Sequence, residues 1–323
     1  MINEILQKSE VDLIKYTKQK LKENGYEYVF ASKDYVLALG TIPVLLVAHL
    51  DTVHKELPET ILFDKEQNLL WSPEGIGGDD RCGVYAILEI TKEFMPYVLF
   101  TTEEEVGGLG AEEFTSVIDI DARQFVNYII EIDRRGNNQA VFYDCGNKDF
   151  KSFILSFGFQ EQWGTFSDIS VLSPAYNIAS VNLSAGYYNE HTKTEYIDLD
   201  ALQNTIDKVK KILKGKNDQY YDYQEIRKFY TPYTRTEKDD NYNYDYECDV
   251  YEDDMNDIDT QREVQNQILA EEDEMMDKNY LEKLIIEDYN ELSDEEFEEI
   301  YNKKKPKNID ELLRKINDFK FTK

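Results

Sequence analysis

Apolar positions in the first two thirds of the chain follow two periods. Between residues 2 and 24, Ile5, Leu13, Ile14, Tyr16 and Leu21 recur at roughly helical intervals and stop at Asn24-Gly25, which predicts one amphipathic helix with a glycine stop. Residues 26–30 and 35–39 then read as short strands around a turn at Ala31-Ser32-Lys33-Asp34. Residues 42–48 are almost unbroken apolar sequence, the signature of a strand buried on both faces, and they end at His49-Leu50-Asp51. The same handover recurs. Residues 97–100 run into Thr101-Thr102-Glu103-Glu104-Glu105-Val106-Gly107-Gly108, residues 128–130 run into Glu131-Ile132-Asp133-Arg134, and residues 178–183 lead through a polar loop to His191. Helical periodicity separates these strands at residues 82–94 and 109–116. It returns at 198–213, where Leu199, Leu202, Ile206, Val209 and Leu213 share one side. Strands joined through helices imply right-handed crossovers, hence an α/β fold with a mainly parallel twisted sheet flanked by helices. Sites in such sheets form beyond the carboxyl ends of the strands.

The pattern fails after Gly215. Residues 216–260 hold 14 acids, 5 bases and 9 tyrosines with scarcely an aliphatic side chain, too little apolar surface to offset the entropy of ordering. We therefore divide the chain into a catalytic domain at 1–215, a disordered acidic tyrosine-rich linker at 216–262, and a tail of short helices at 263–323. In the tail, Ser293-Asp294-Glu295-Glu296 and Asn308-Ile309-Asp310-Glu311 match helix-start capping patterns.

Charge narrows the function. The 323 residues carry a formal net charge of −30. It is split into −14 over residues 1–215 (20 bases, 34 acids) and −16 beyond (16 bases, 32 acids). Both parts repel polyanions and neither holds a basic stripe, which argues against nucleic-acid binding and favours cationic ligands or hard metal ions. Cys82, Cys145 and Cys248 are odd in number and widely spaced, so neither a disulfide framework nor a thiolate zinc site is expected. No apolar run approaches membrane-spanning length, and the N-terminus lacks a basic flank before an apolar core. The expectation is a soluble, cytoplasmic protein.

The candidate chemistry lies at the strand ends: His49 and Asp51, Asp79, Glu104 and Glu105, Asp133, and His191. Asp79 follows Gly75-Ile76-Gly77-Gly78, a turn feeding a helix, so the bland reading of Asp79-Asp80 is a helix cap. Each of the other residues also has a structural explanation taken singly. Together they form a set of nitrogen and carboxylate donors without thiolate, which suits zinc, with cobalt or manganese as alternatives. Five donors exceed what one catalytic ion with an open position accepts. They suit two ions about 3.5–4 Å apart sharing a carboxylate, and Asp79, fixed by its turn, is the natural bridge.

The order His-x-Asp, Gly-Gly-Asp-Asp-Arg-x-Gly, Glu-Glu-x-Gly-Gly, Asp, His over residues 40–200 resembles the co-catalytic zinc exopeptidases, the clan of peptidase T, carboxypeptidase G and the bacterial leucyl aminopeptidases. The resemblance implies that His49, Asp79 and Asp133 hold one ion and Asp79, Glu105 and His191 the other. It further implies that Glu104 is the general base, that Asp51 orients His49, and that the Asp79-Asp80 peptide is cis. Glu103 falls where the family often has an acid without a catalytic role. The chain departs from the peptidase T and carboxypeptidase G branch in one respect. That branch inserts a substrate-reading domain between the last aspartate and the last histidine, whereas only 57 residues separate Asp133 from His191 here. The oxyanion partner is thus unassigned, with Tyr187, Tyr188 and His54 as candidates. Without a carboxylate-reading domain, a free amine suits the acidic mouth, so an aminopeptidase acting on small peptides or amides leads over a carboxypeptidase, amidohydrolase or deacylase. The rival of another class is a scaffold whose acidic tail docks a protein partner.

Overall fold

The structure, a computed structural model, describes residues 2–118 and 121–226. The first predicted helix is in fact two, α1 (Ile2–Leu6) and α2 (Glu10–Glu23). Ser9 divides them because its hydroxyl caps α2 by accepting from the Asp12 amide, while the preceding Lys8 carbonyl accepts from the buried Arg81 guanidinium at 2.9 Å. Then follow β1 (Val29–Ala31), β2 (Tyr35–Ala38), β3 (Ile42–His49), β4 (Leu62–Asp64), β5 (Leu69–Trp71), α3 (Gly78–Ile90), β6 (Pro96–Thr101), α4 (Leu109–Val117) and β7 (Tyr128–Arg134). The remainder comprises β8 (Gln139–Val141), α5 (Lys148–Leu155), β9 (Gln160–Gln162), α6 (Ile169–Tyr176), β10 (Ser180–Ser184), β11 (Tyr187–Tyr188), β12 (Tyr196–Asp198) and α7 (Leu199–Lys214).

Eight strands form one mixed sheet in the order β1-β2-β6-β3-β7-β10-β8-β9. Its centre, β6-β3-β7-β10, is parallel, and antiparallel pairings join β1 to β2, β2 to β6 and β10 to β8. The central strands read as continuous apolar runs because both faces are covered. On one face Val44, Leu46, Ala48, Val98, Phe100, Ile130 and Ile132 pack into a core with α3 and α7, and on the other Leu45, Val47, Leu99 and Ile129 pack with α4 and α6. Each fully buried aliphatic side chain contributes about 1.5–3 kcal/mol. An ionised carboxylate taken out of water costs several kcal/mol before it finds a partner. The apolar core therefore supplies the stability on which the strand-end acids draw.

A second, antiparallel sheet, β11-β12-β5-β4, was not foreseen. Its strands are only two or three residues long, too short for alternation to register in the sequence. The interval between Asp133 and His191 consists of β8, α5, β9, α6, β10 and β11, with no separate domain inserted.

The globular part also continues past the expected boundary at Gly215. Asn217 and Tyr221 are buried, the Asn217 side chain accepts from the Tyr128 hydroxyl at 2.5 Å, and isolated bridges tie Asp222 to Ile178 and Glu225 to Cys145. Tyrosine made these residues look like linker, yet Tyr221 stacks on Phe153 with ring centroids 5.8 Å apart and 20° between planes. The rest of the expected linker, the helical tail and Cys248 lie outside the described residues. Cys82 and Cys145 are free and buried. Among the described residues no helix is long and apolar enough to cross a membrane.

One packing detail sets how close α3 lies to the sheet. A Cβ on Gly83 would stand 1.9 Å from the Ile132 carbonyl oxygen and 2.4 Å from an Asp80 carboxylate oxygen. We expect Gly83→Ala to destabilise the domain by about 2 kcal/mol through overpacking, read as a lower denaturation midpoint in urea. A midpoint equal to the parent's would contradict this close approach.

Candidate metal centre

Four strand ends and two turns bring the predicted donors together. His49 closes β3 and Asp133 lies near the end of β7, while Glu104 and Glu105 sit in the turn after β6. His191 stands in the loop between β11 and β12 with a left-handed φ of +62°. Asp79 is the second residue of the α3 segment, but neither it nor Asp80 has helical backbone angles, and the peptide between them is cis.

Asp79 is shared. Its Oδ1 lies 3.2 Å from His49 Nε2, and its Oδ2 lies 3.3 Å from His191 Nε2. Asp133 Oδ1 is 3.5 Å from His49 Nε2, and Glu105 Oε2 is 3.0 Å from His191 Nε2. Two groups result, His49–Asp79–Asp133 and Asp79–Glu105–His191, each with ligand atoms within 4.8 Å of one another. They meet at one carboxylate. Glu105 Oε1 is buried with no hydrogen-bond partner, a donor lone pair facing nothing that satisfies it. Two imidazoles, carboxylates on both sides and an orphaned carboxylate oxygen fit divalent ions of the zinc type.

Asp51 holds this arrangement in two ways. It bonds His49 Nδ1 at 3.0 Å, leaving Nε2 aimed at the cluster, and its two oxygens accept the Glu104 and Glu105 amides at 3.1 Å each. One carboxylate thereby fixes a histidine and the turn that carries two acids.

The helix-cap reading of Asp79-Asp80 applies to the second aspartate. Asp80 is fully buried and accepts from the Gly83 amide at 3.0 Å, three residues on, as a capping side chain does. Asp79 is left free to face the histidines. Its own amide is held by Glu195 at 2.9 Å, which also accepts the Gly77 amide at 3.0 Å and pairs with His54 Nε2 at 2.9 Å. His54 is thus committed to bracing the glycine turn, in which Gly77 takes a φ of +64°. Tyr187, the second oxyanion candidate, is buried with its hydroxyl donating to the Asp133 carbonyl at 3.0 Å and lying 3.2 Å from its carboxylate. It positions a donor. Tyr188 stacks on Tyr196 with ring centroids 5.0 Å apart.

Sequence reasoning missed the layer behind Asp133. Asn182 exchanges hydrogen bonds with the Asp133 backbone, accepting its amide at 2.9 Å and donating to its carbonyl at 3.1 Å, and it also bonds Tyr143 and Ser167. Ser167 donates to the buried Glu131, and Thr101 donates to the buried Asp168. Asn182 lies between Val181 and Leu183 in β10, which is the one signal available; a polar side chain buried there needs partners.

Crowded acids shift one another's protonation. Burial and the Asp79 charge push Asp133 up to about 7, although His49 opposes this. Burial likewise raises Glu104 to about 9, with Asp133, Asp168 and Glu105 adding to the rise and His49 opposing it. Hydrogen bonds to Asp79 and Glu105 lift His191 to about 10. Burial works against a charge on His49, yet Asp51 and Asp133 hold its proton well above the usual histidine range. Asp79 moves the other way. Burial opposes its charge, but the two histidines keep it ionised well below the usual carboxylate range.

No family model matches the sequence, and no curated protein matches it. Solved structures do. Aminopeptidase PepT from Bacillus cereus is 14% identical with a TM-score of 0.54, over 66% of this chain and 96% of that one. A tripeptidase from Staphylococcus aureus is 14% identical with a TM-score of 0.55, over 66% and 96%. An aminopeptidase from the archaeon Desulfurococcus kamchatkensis is 14% identical with a TM-score of 0.53, over 67% and 94%. At such identities the likeness is one of fold alone: the chain shares the α/β fold of these aminopeptidase and tripeptidase structures.

Proposed function

We propose that this chain is a metal-dependent hydrolase of peptide or related amide bonds, working as an aminopeptidase on small substrates. The observation that carries the reading is the Asp79 carboxylate, each oxygen of which faces a different histidine and a different acid. In this reading His49, Asp79 and Asp133 hold one ion, and Asp79, Glu105 and His191 hold the second. Zinc, or cobalt or manganese in its place, would supply Lewis-acid polarisation of the amide carbonyl and a more acidic water.

The chain's own groups do the rest. Glu104 is half-buried and interacts electrostatically with His49, Asp133 and Glu105, so it stands beside the donors without belonging to either group. It takes the proton of the attacking water on its carboxylate and returns it to the leaving amine nitrogen. Asp51 keeps His49 oriented and the Glu104–Glu105 turn in place, while Tyr187 and Asn182 fix Asp133. The acidic surroundings favour a substrate's ammonium group over its carboxylate.

Glu104→Gln preserves shape and removes the proton carrier. We expect it to retain bound metal and lose at least about a hundredfold in kcat, measured on a panel of aminoacyl amides and dipeptides with added zinc, cobalt or manganese. Turnover at the parent's rate would dismiss Glu104 as the base. Metal removal tests the site independently of turnover. At a free concentration about a thousand times Kd, one ion contributes about 4 kcal/mol to folding, which for a domain of this size is a shift of about 8–16 °C. Chelation should therefore lower the melting temperature by several degrees or more, with recovery on adding zinc, and a melting temperature indifferent to both would contradict a metal centre.

A further inference from the structure

The second sheet ends on an apolar edge. Its register lines up two rows of side chains across the strands. Leu62 stands opposite Trp71, Trp71 opposite Tyr196 and Tyr196 opposite Tyr188, so these four share one face. Phe63, Leu70, Ile197 and Tyr187 form the neighbouring row and face the other way. In that row burial holds for three residues and fails at the last: Leu70, Ile197 and Tyr187 are buried, whereas Phe63 is 48% exposed. In the first row Trp71 and Leu62 are 43% and 36% exposed. β4 is the terminal strand, and among the described residues no strand pairs with its outer side. Ile61-Leu62-Phe63 thus sets three apolar residues in succession along an open ladder. Charge, polar side chains or proline usually blunt such an edge. The edge strand β9 of the large sheet follows that rule, since Gln160, Glu161 and Gln162 are exposed and polar. β4 does not.

We propose that β4 pairs antiparallel with β4 of a second copy of this chain, about a two-fold axis at Leu62, joining the two four-stranded sheets into one. The N–H and C=O groups of a strand edge are self-complementary, and a two-fold axis lets one contact serve both copies. Charge selects the register. Each chain carries a net charge of −30, so two copies repel at a distance and hold together only where opposite charges meet locally. With Leu62 opposite Leu62 of the second copy, Glu59 meets Lys65 of the second copy, twice by symmetry, and both residues are exposed. Sliding by one residue either way sets Glu59 against Glu66 or Asp64 instead. The favoured register also places Phe63 opposite Ile61 of the second copy, which covers the open end of the buried row. On the other face, Leu62 and Trp71 of both copies fall into one continuous line.

The test is the mass of the full-length protein in solution, followed by light scattering over a dilution series. The parent should be a dimer at about 100 μM chain and dissociate on dilution. Glu59→Lys and Lys65→Glu each set like charges opposite one another at both ends of the pairing, and each should raise the dissociation constant at least about tenfold. Mixed in equal amounts, the two variants should associate about as tightly as the parent, because every lysine at these positions in one variant meets a glutamate in the other. Recovery on mixing also shows that neither substitution acts by unfolding the chain. A parent that stays monomeric overturns the proposal, and so does a dimer whose constant neither variant changes. Weakened association in both variants with no recovery in the mixture overturns it as well. The readout is mass, so none of these outcomes depends on bound metal or on turnover.

Discussion

The structure depends on one carboxylate facing two ways. Asp79 presents Oδ1 to His49 and Oδ2 to His191, and each histidine brings its own acid, Asp133 or Glu105. Such a concentration of negative charge out of bulk water is unfavourable unless positive charge lies within a few ångströms. Holding Asp79 there takes a dedicated brace. Glu195 binds the amides of Gly77 and Asp79, His54 backs Glu195, and Asp80 takes over the helix-capping role. None of these groups touches a substrate in the proposed reaction, yet each restricts where the Asp79 oxygens can point.

The sheet solves the complementary problem of bringing distant residues to one spot. Parallel neighbours end at the same edge, so β3, β6 and β7 deliver His49, the Glu104–Glu105 turn and Asp133 side by side. Their alternation also fixes the face. Leu45, Val47 and His49 follow one another at every second position of β3, as Ile129, Glu131 and Asp133 do on β7, so core turns into chemistry along a single line of side chains. The layer of Glu131, Ser167, Asp168, Thr101 and Asn182 lies at that transition. Glu131 and Asp168 each keep one buried oxygen without a partner there, the marginal polar satisfaction that occurs beside functional sites.

Much of this was legible in the sequence for a physical reason. Strands buried on both faces must be apolar throughout, so the residue at which polarity returns marks the strand end, and His49, Thr101 and Asp133 could be read almost to the position. The glycines of the Asp79 turn announced themselves because Gly75 and Gly77 take positive φ angles that glycine adopts at least cost. Groups that act across long sequence separations left no such trace. Glu195 meets Asp79 over 116 residues and Asn182 meets Asp133 over 49, and nothing local in either sequence segment requires the contact. The division of labour between Asp79 and Asp80 was equally hidden, since adjacent aspartates after a glycine turn look alike until the backbone shows which one faces Gly83. The break at Ser9 and the packing of residues 217–226 were misjudged because each depends on a distant partner, Arg81 for the first and Tyr128 and Ile178 for the second.

The central claim is that one aspartate is shared by two cations. Anomalous diffraction from crystals of the zinc-loaded protein, collected on both sides of the zinc absorption edge, addresses it most directly. Two peaks about 3.5–4 Å apart, one beside His49 and Asp133 and the other beside Glu105 and His191, with Asp79 between them, is the result expected. A single peak, or zinc bound only at other positions, would contradict the shared-carboxylate site.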